Sequence, residues 1–243
     1  MPKYHITAIV PCFNHGQYIK DCLNGFINQT IKPNVICIID DCSTDDSFEK
    51  IRQVIPQIKG LQGIEVKLLQ TPKNSGRAAS CNVGLKATKT DIIALCDADD
   101  VYLPTKIEES LKAFDIFGNV AVAYTDLIGW DTRENPPKET IDYFRSWNYD
   151  YHLRRNVVMG AAIVRRPIYD LVGLYDEEMW VAEDYDMWTR IAEKAMFWHI
   201  PKPLYKYRQH GQNLTANVQR DRDKWNFALR RIHEKRIQRL KRA

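Results

Sequence analysis

Residues 92–100 read Ile92-Ile93-Ala94-Leu95-Cys96-Asp97-Ala98-Asp99-Asp100. Five apolar residues in a row, β-branched at the start, are the pattern of a strand covered on both faces. Carboxylates then end it abruptly. Three other runs, Ile6 to Val10, Val35 to Ile39 and Val66 to Leu69, are likewise rich in β-branched residues and nearly uninterrupted. Stretches with helix signals separate them: Asp46-Ser47-Phe48-Glu49 has capping-box-like spacing, and Pro104 sits where a first helical turn accepts it, ahead of Lys106 to Phe114. Strands alternating with helices predict an α/β fold with a mostly parallel central sheet.

The 243 residues, 44% hydrophobic and 27% charged, suit one ordinary domain with a short appendage. Such a chain buries a core without disulfide or metal staples, and collagen-like, disulfide-scaffold and disordered classes are excluded. The net charge of +4 is too mild to indicate a nucleic-acid partner. No run approaches the roughly 18 apolar residues of a membrane-spanning helix, and the N-terminus lacks the long apolar region of a secretory signal. The six cysteines, at 12, 22, 37, 42, 81 and 96, form no Cys-x-x-Cys pair, and several fall inside apolar runs. They are expected to be buried free thiols in a reducing compartment, which makes the expected location cytoplasmic.

After Val120-Ala121-Val122-Ala123-Tyr124 the alternation gives way to a polar loop, Asp131 to Lys138, and an aromatic segment, Trp147 to Tyr151. A further apolar run, Val157 to Val164, precedes a helix expected from about Glu183 to Ala195. Residues 219–243 form a basic, helical-looking tail with ten Lys or Arg against three acidic residues. The tail therefore carries +7, and residues 1–218, with 25 basic and 28 acidic residues, carry −3.

Ligands of open parallel sheets bind beyond the carboxyl ends of the strands. Here the first strand ends in Pro11-Cys12-Phe13-Asn14, the second in Asp40-Asp41-Cys42-Ser43-Thr44-Asp45 and the fourth in Asp97-Ala98-Asp99-Asp100. Five carboxylates on one edge repel one another unless cations or hydrogen bonds offset them. Asp97 and Asp99, two apart in an extended segment, can converge on one target. Carboxylate oxygens suit Mg2+ or Mn2+, with substrate phosphates completing the shell. Asp also favours turns, so Asp-x-Asp alone means little; its place after a buried strand, opposite a second Asp-Asp end, is what favours a site. Neither Gly-x-x-x-x-Gly-Lys-Ser/Thr nor Gly-x-Gly-x-x-Gly occurs, so a bound nucleotide would rely on the metal.

In this order the motifs resemble a known family. Ile9-Val10-Pro11-Cys12-Phe13-Asn14, Asn28-Gln29-Thr30 and Ile39 to Ser47 are similar to the opening of the family-two, inverting nucleotide-sugar glycosyltransferases. Asn74-Ser75-Gly76, Asn82-Val83-Gly84-Leu85 and Cys96 to Asp100 continue the pattern, and Gly173-Leu174-Tyr175-Asp176-Glu177 and Glu183 to Arg190 match its later blocks. The resemblance runs from about residue 6 to residue 215. It implies a single domain of GT-A type, Rossmann-like with a mostly parallel central sheet and a small antiparallel portion, over residues 1–218, followed by the tail 219–243. It also implies metal-dependent transfer, with inversion, of a sugar from a nucleoside-diphosphate donor, UDP-linked, to a hydroxyl of a saccharide or lipid-linked acceptor.

Residue by residue, the resemblance implies that Asp41 accepts a hydrogen bond from the base, with Phe13 against the ring. Pro11 and Ala98 join them at the nucleotide, and Arg77, after Gly76, either reaches the base or a phosphate or simply faces solvent. Asp97 would lie near the ribose or the metal, Asp99 would be the direct ligand of Mn2+ or Mg2+, and His210 can complete the shell. Asp184 would be the catalytic base, with Glu183 beside it. The chain departs from the pattern at Cys42, where many relatives have Gly, and at Phe13, where many have Tyr.

Acidic residues in a first helical turn need no other reason than the macrodipole. Asp184, however, lies four residues before Trp188 and seven before Ile191, on the apolar face, where a carboxylate must line a cleft, find a partner or be protonated. Trp147, Tyr149, Tyr151 and Trp180 either stack on acceptor sugars or anchor a long loop. The tail, with Trp225, Leu229 and Ile232 at helical spacing, is either a peripheral contact for an anionic membrane or a solvated helix packed by one stripe. Two rival functions stand beside transfer. A sugar-nucleotide nucleotidyltransferase should carry a Gly-rich basic N-terminal loop, which is missing. A non-catalytic saccharide-binding module would be expected to lose Asp184.

Overall fold

The computed structural model describes residues 3–59, 63–158, 162–213 and 222–241. The apolar runs form β1 (Ile6–Cys12), β2 (Val35–Asp40), β3 (Glu65–Gln70) and β4 (Ile92–Leu95), paired in parallel in the order β3-β2-β1-β4. The crossovers carry α1 (Ile19–Ile27), α2 (Ser47–Lys59) and α3 (Gly76–Ala87). Strand side chains alternate between faces, so Ala8, Val10, Ile36 and Ile38 enter one core while Ile9, Cys37 and Ile39 enter the other. Every residue of β1, β2 and β4 is buried, as their unbroken apolar character predicts. The third run departs from that expectation. β3 is the edge of the sheet, and only Val66 is buried there, because a terminal strand has no neighbour to cover it.

The second half extends the sheet with antiparallel pairings. It contains β5 (Val101–Tyr102), α4 (Lys106–Ile116), β6 (Val120–Asp131), β7 (Lys138–Asp142), α5 (Tyr149–His152), β8 (Ile163–Arg165), α6 (Pro167–Val172), α7 (Glu183–Ala192) and β9 (Met196–Gln209). β8 bridges β4 and β6 antiparallel, β6 runs parallel to β9, and β5 and β7 pair antiparallel with β9 and β6. The result is a mixed α/β domain around a mostly parallel central sheet.

Several of the motif residues have plain structural work. Buried Gln29 donates to the carbonyls of Gly25 and Leu103 and accepts from the Ile107 N–H, tying α1 to the start of α4. Asn82 donates to the Tyr175 carbonyl and accepts from its N–H, tying α3 to the segment before α7. At Gly84 a Cβ would come within 2.7 Å of Ile9 and 3.0 Å of Ile39, so its lack of a side chain lets α3 seat directly on the sheet. The cysteines are free, and all but Cys42 are buried.

The tail forms α8 (Arg222–Leu240). Ala228 and Ile232 pack on Met179, Val181, Ala182 and Tyr185, with Leu229 partly buried beside them. Trp225, expected in the stripe, is more than a third exposed. Arg231 and Lys235 pair with Asp176, Arg231 also with Glu178, and Arg236 and Arg239 with Glu193. Four tail cations thus face carboxylates of the domain, the arrangement of a helix packed by one stripe. No described helix is long and apolar enough to cross a membrane.

Among the described residues, three non-glycine positions adopt left-handed backbone, Asn14, Cys42 and Ala182, each at φ 57°. Cys42 explains the glycine common among relatives: the turn after β2 favours a residue without Cβ. Replacing Cys42 with Gly relieves that strain and is expected to stabilise the protein by about 1 kcal/mol, read as a rise in Tm. A fall in Tm would show that Cys42 contributes packing worth more than the strain.

Candidate active site

The loops after β1, β2 and β4 meet the end of β9 and the first turn of α7. Asn14 locks the first two loops: its N–H donates to Ser43 Oγ at 3.0 Å, and its Oδ1 accepts from the Thr44 N–H at 2.9 Å. Asp41 is buried and fully engaged. It accepts from Thr71 Oγ1 at 2.7 Å, from the Ser75 N–H at 3.1 Å and from the Gly76 N–H at 2.7 Å, capping α3 from another strand. A base contact there would be a further bond on the same two oxygens. Asp40 accepts from Gln70 Nε2 at 2.9 Å and from the Ser43 N–H.

That cap places Arg77, in the first turn of α3, over the end of β4. Its Nε donates to Asp97 Oδ1 at 2.6 Å and its Nη1 to Glu183 Oε1 at 3.1 Å. One guanidinium therefore joins the fourth strand end to α7. Burial, opposed by Arg77 and reinforced by neighbouring Asp184, leaves the Glu183 carboxyl raised to about 7. Asp97 is likewise raised by burial, with Arg77 opposing.

Asp184 stands beside this pair. Its Oδ1 accepts from the Tyr185 N–H at 2.7 Å, and its Oδ2 accepts from Asn156 Nδ2 at 3.1 Å. The Asn156 Oδ1 in turn accepts from the Val158 N–H, which turns the amide NH2 toward Asp184. Trp188 and Ile191 on the same face are wholly buried, whereas Asp184 is partly exposed, so it lines a cleft. Burial raises its carboxyl above the ordinary value of 3.8, with Arg77 opposing.

Asp97 and Asp99 do not converge on one target as their spacing suggests. Asp97 is taken by Arg77, while Asp99 Oδ2 lies 3.0 Å from His210 Nε2 and 3.7 Å from His15 Nδ1. Burial works against the Asp99 anion, but the His210 hydrogen bond and the charge of His15 outweigh it, and the group ends below its ordinary value. Ligand atoms of His15, Asp99 and His210 all lie within 4.8 Å of one another. A carboxylate with a single imidazole, Asp99 with His210, forms a donor set that fits Mn2+ and tolerates Mg2+. Arg208 supports this corner, donating to the Asp99 carbonyl at 2.8 Å and to Asp21, while its N–H donates to Asp100. Asp100 is buried, bonded also by the Tyr205 hydroxyl, and serves the frame.

The remaining expected residues lie around the same edge. Phe13 is partly exposed beside Asn14. Pro11 and Ala98 are buried, with the Ala98 N–H on the Pro11 carbonyl, so they space the strand ends and present no side chain. The aromatic candidates separate. Trp147 stacks on Phe197 at 4.0 Å, Tyr149 accepts from Arg236, and Tyr151 lies under Arg145, all as anchors. Trp180 alone of the four adjoins the cleft, 60% exposed over Gly76. His15 and Asn156 were not singled out from the sequence. His15 had a signal, an imidazole two residues past an aromatic strand end; Asn156 had none.

Comparison with known proteins gives one consistent answer. The model of "Glycosyl transferase family 2" matches residues 7–173. The chain is 28% identical over 211 residues to chondroitin synthase of Pasteurella multocida strain Pm70, covering 86% of this chain and 21% of that one. It thus spans about a fifth of that relative's length. Among solved structures, S. aureus TarS 1–349 in complex with UDP has a TM-score of 0.67 at 20% identity, covering 84% of this chain and 60% of that one. Mannosyltransferase PcManGT from Pyrobaculum calidifontis, in complex with GDP-Man and Mn2+, has a TM-score of 0.67 at 16% identity, covering 89% and 60%. Both share the fold.

The raised Glu183 carboxyl has a consequence for stability. The folded state holds a proton there that the unfolded chain, near 4.5, has already lost, so this group's contribution falls as pH rises from about 4.5 to about 7. Whatever Glu183→Gln costs through the lost Arg77 pair, its Tm relative to wild type is expected to be more favourable at pH 8 than at pH 4.5. An equal shift at both values would mean that Glu183 titrates normally.

Proposed function

The chain belongs to glycosyl transferase family 2, and from that premise we propose a metal-dependent enzyme that transfers a sugar with inversion from a nucleoside-diphosphate donor, UDP-linked, to a hydroxyl of a saccharide or lipid-linked acceptor, in polysaccharide or glycoconjugate synthesis. The observation that carries the proposal is the Arg77 bridge, which ties Asp97 at the end of β4 to Glu183, the neighbour of Asp184 at the start of α7. The UDP complex of TarS and the GDP-Man and Mn2+ complex of PcManGT support a nucleotide-sugar donor and a divalent cation. The chondroitin synthase relative supports a saccharide acceptor.

Asp184 is the base. Its Oδ2, oriented by Asn156, takes the proton of the acceptor hydroxyl as that oxygen attacks the anomeric carbon opposite the leaving group. A single displacement inverts the centre, through a transition state with oxocarbenium character. Asp99 and His210 would hold the cation, Mn2+ or Mg2+, which when bound would supply positive charge to offset that of the leaving diphosphate. Arg77 keeps Glu183 and Asp97 in place beside the donor and offsets their charge. In this reading Phe13 and Asp41 take the nucleotide base, and exposed Trp180 offers a ring face for a sugar at the mouth.

Asp184→Asn is expected to lower transfer by about 10²–10⁴ while leaving UDP binding in place. An active Asn variant removes the base assignment. The acid limb of kcat/KM should lie above 3.8, since protonating the raised Asp184 carboxyl stops catalysis as pH falls. Asp99→Ala should abolish metal-dependent nucleotide binding in calorimetry, and unchanged binding would refute its role.

A further inference from the structure

We propose that His15 is a third protein ligand of the cation held by Asp99 and His210, and that this pair of imidazoles makes the site select Mn2+ over Mg2+. The inference rests on the reading of Asp99 and His210 given above. His15 comes from the opposite side of the sheet edge: it follows β1, whereas His210 follows β9. Both imidazoles nevertheless address the same oxygen, Asp99 Oδ2, at 3.7 and 3.0 Å. At 3.7 Å the His15 nitrogen is too far for a hydrogen bond, so no bond to Asp99 accounts for its direction. Ligand atoms about 2.1 Å from one ion lie about 3.0 Å apart at right angles and about 4.2 Å apart when opposite. The two observed distances fall in that interval.

The backbone fixes His15 from both sides. Left-handed Asn14 before it is bonded to Ser43 and Thr44. Gly16 after it donates to Ser47 Oγ at 2.7 Å, and a Cβ at Gly16 would collide with Ser47 Cα at 2.4 Å. The His15 carbonyl accepts from the Tyr18 N–H, and the Tyr18 ring stacks on His210 with centroids 4.8 Å apart. The two imidazoles meet edge to face at 5.2 Å. The His15 side chain keeps 23% exposure, against 9% for Asp99 and 4% for His210, which leaves the site open toward a substrate on that side.

The donor set decides the metal. Mg2+ favours oxygen ligands and gives up its waters reluctantly, whereas affinity for imidazole rises along the first-row series from Mn2+. One carboxylate with two imidazoles is therefore a transition-metal site, and the second imidazole is what separates it from a mixed Mg2+/Mn2+ site.

The test is binding of Mn2+ to the full chain, with and without UDP, read by electron paramagnetic resonance, with Mg2+ as competitor. His15→Ala is expected to weaken Mn2+ by about ten- to hundredfold and leave Mg2+ nearly unchanged. Spin-echo modulation of bound Mn2+ should count two directly coordinated imidazole nitrogens in the wild type and one in the variant. His15→Gln, which preserves size and polarity, should lose the selectivity in the same way and covers a poorly folding Ala variant. If Asp99→Ala abolishes Mn2+ binding but both His15 variants keep wild-type affinity and two nitrogens, the inference is wrong and the metal reading stands. If Asp99→Ala also binds normally, or the wild type binds no Mn2+ with or without UDP, both fail.

Discussion

The guanidinium of Arg77 lies between two carboxylates that reach it from opposite halves of the chain, Asp97 beyond β4 and Glu183 at the start of α7. Desolvating such groups costs several kcal/mol each, so the cluster persists only as a set; removing one member of a buried pair typically costs about 3–5 kcal/mol. Much of the surrounding structure answers that constraint. Asp41 caps α3 and so aims Arg77. Asn82 ties the same helix to the Tyr175 segment that leads to α7. At the other end of the strand edge, Asp99 finds its compensation in imidazole and Asp100 in the Arg208 N–H and the Tyr205 hydroxyl. The five acidic residues are tolerable together because each has a different partner.

How much of this could be read from the sequence follows from the range of the interactions. β1, β2 and β4 were legible because strands buried on both faces must be apolar throughout, and that is a local property. β3 differs from them, with Glu65, Lys67 and Gln70 among its six residues, and that polar content is the local mark of its place at the edge. The alternation of Asp97 and Asp99 suggested one target. It could not reveal that Arg77, twenty residues upstream, and His210, over a hundred downstream, would divide them. The facing of Asp184 was legible from the spacing to Trp188 and Ile191, while its orienting partner Asn156, 28 residues away in a loop, was not. His15 shows the limit most clearly, since its surroundings depend on His210, just beyond β9.

The uneven charge of the chain also has a local account. Four cations of the basic helix α8, Arg231, Lys235, Arg236 and Arg239, meet Asp176, Glu178 and Glu193 on the body of the domain. Exposed pairs of this kind are worth little singly. Together with Ala228 and Ile232 they align the helix behind Ala182 and Tyr185, which flank Glu183 and Asp184.

The close seating of α3 at Gly84 ties together positions that are distant in the chain. Arg77 lies seven residues before Gly84, about 10 Å along the same helix. A methyl group at 84 would need room at Ile9 and Ile39, and lifting the helix to make that room would tilt its other end, where the guanidinium sits. The volumes at 9, 39 and 84 are thus one shared quantity. Divergent descendants of this chain are free to exchange bulk among those three positions, but to change their sum only by moving the arginine that holds the two halves of the cleft together.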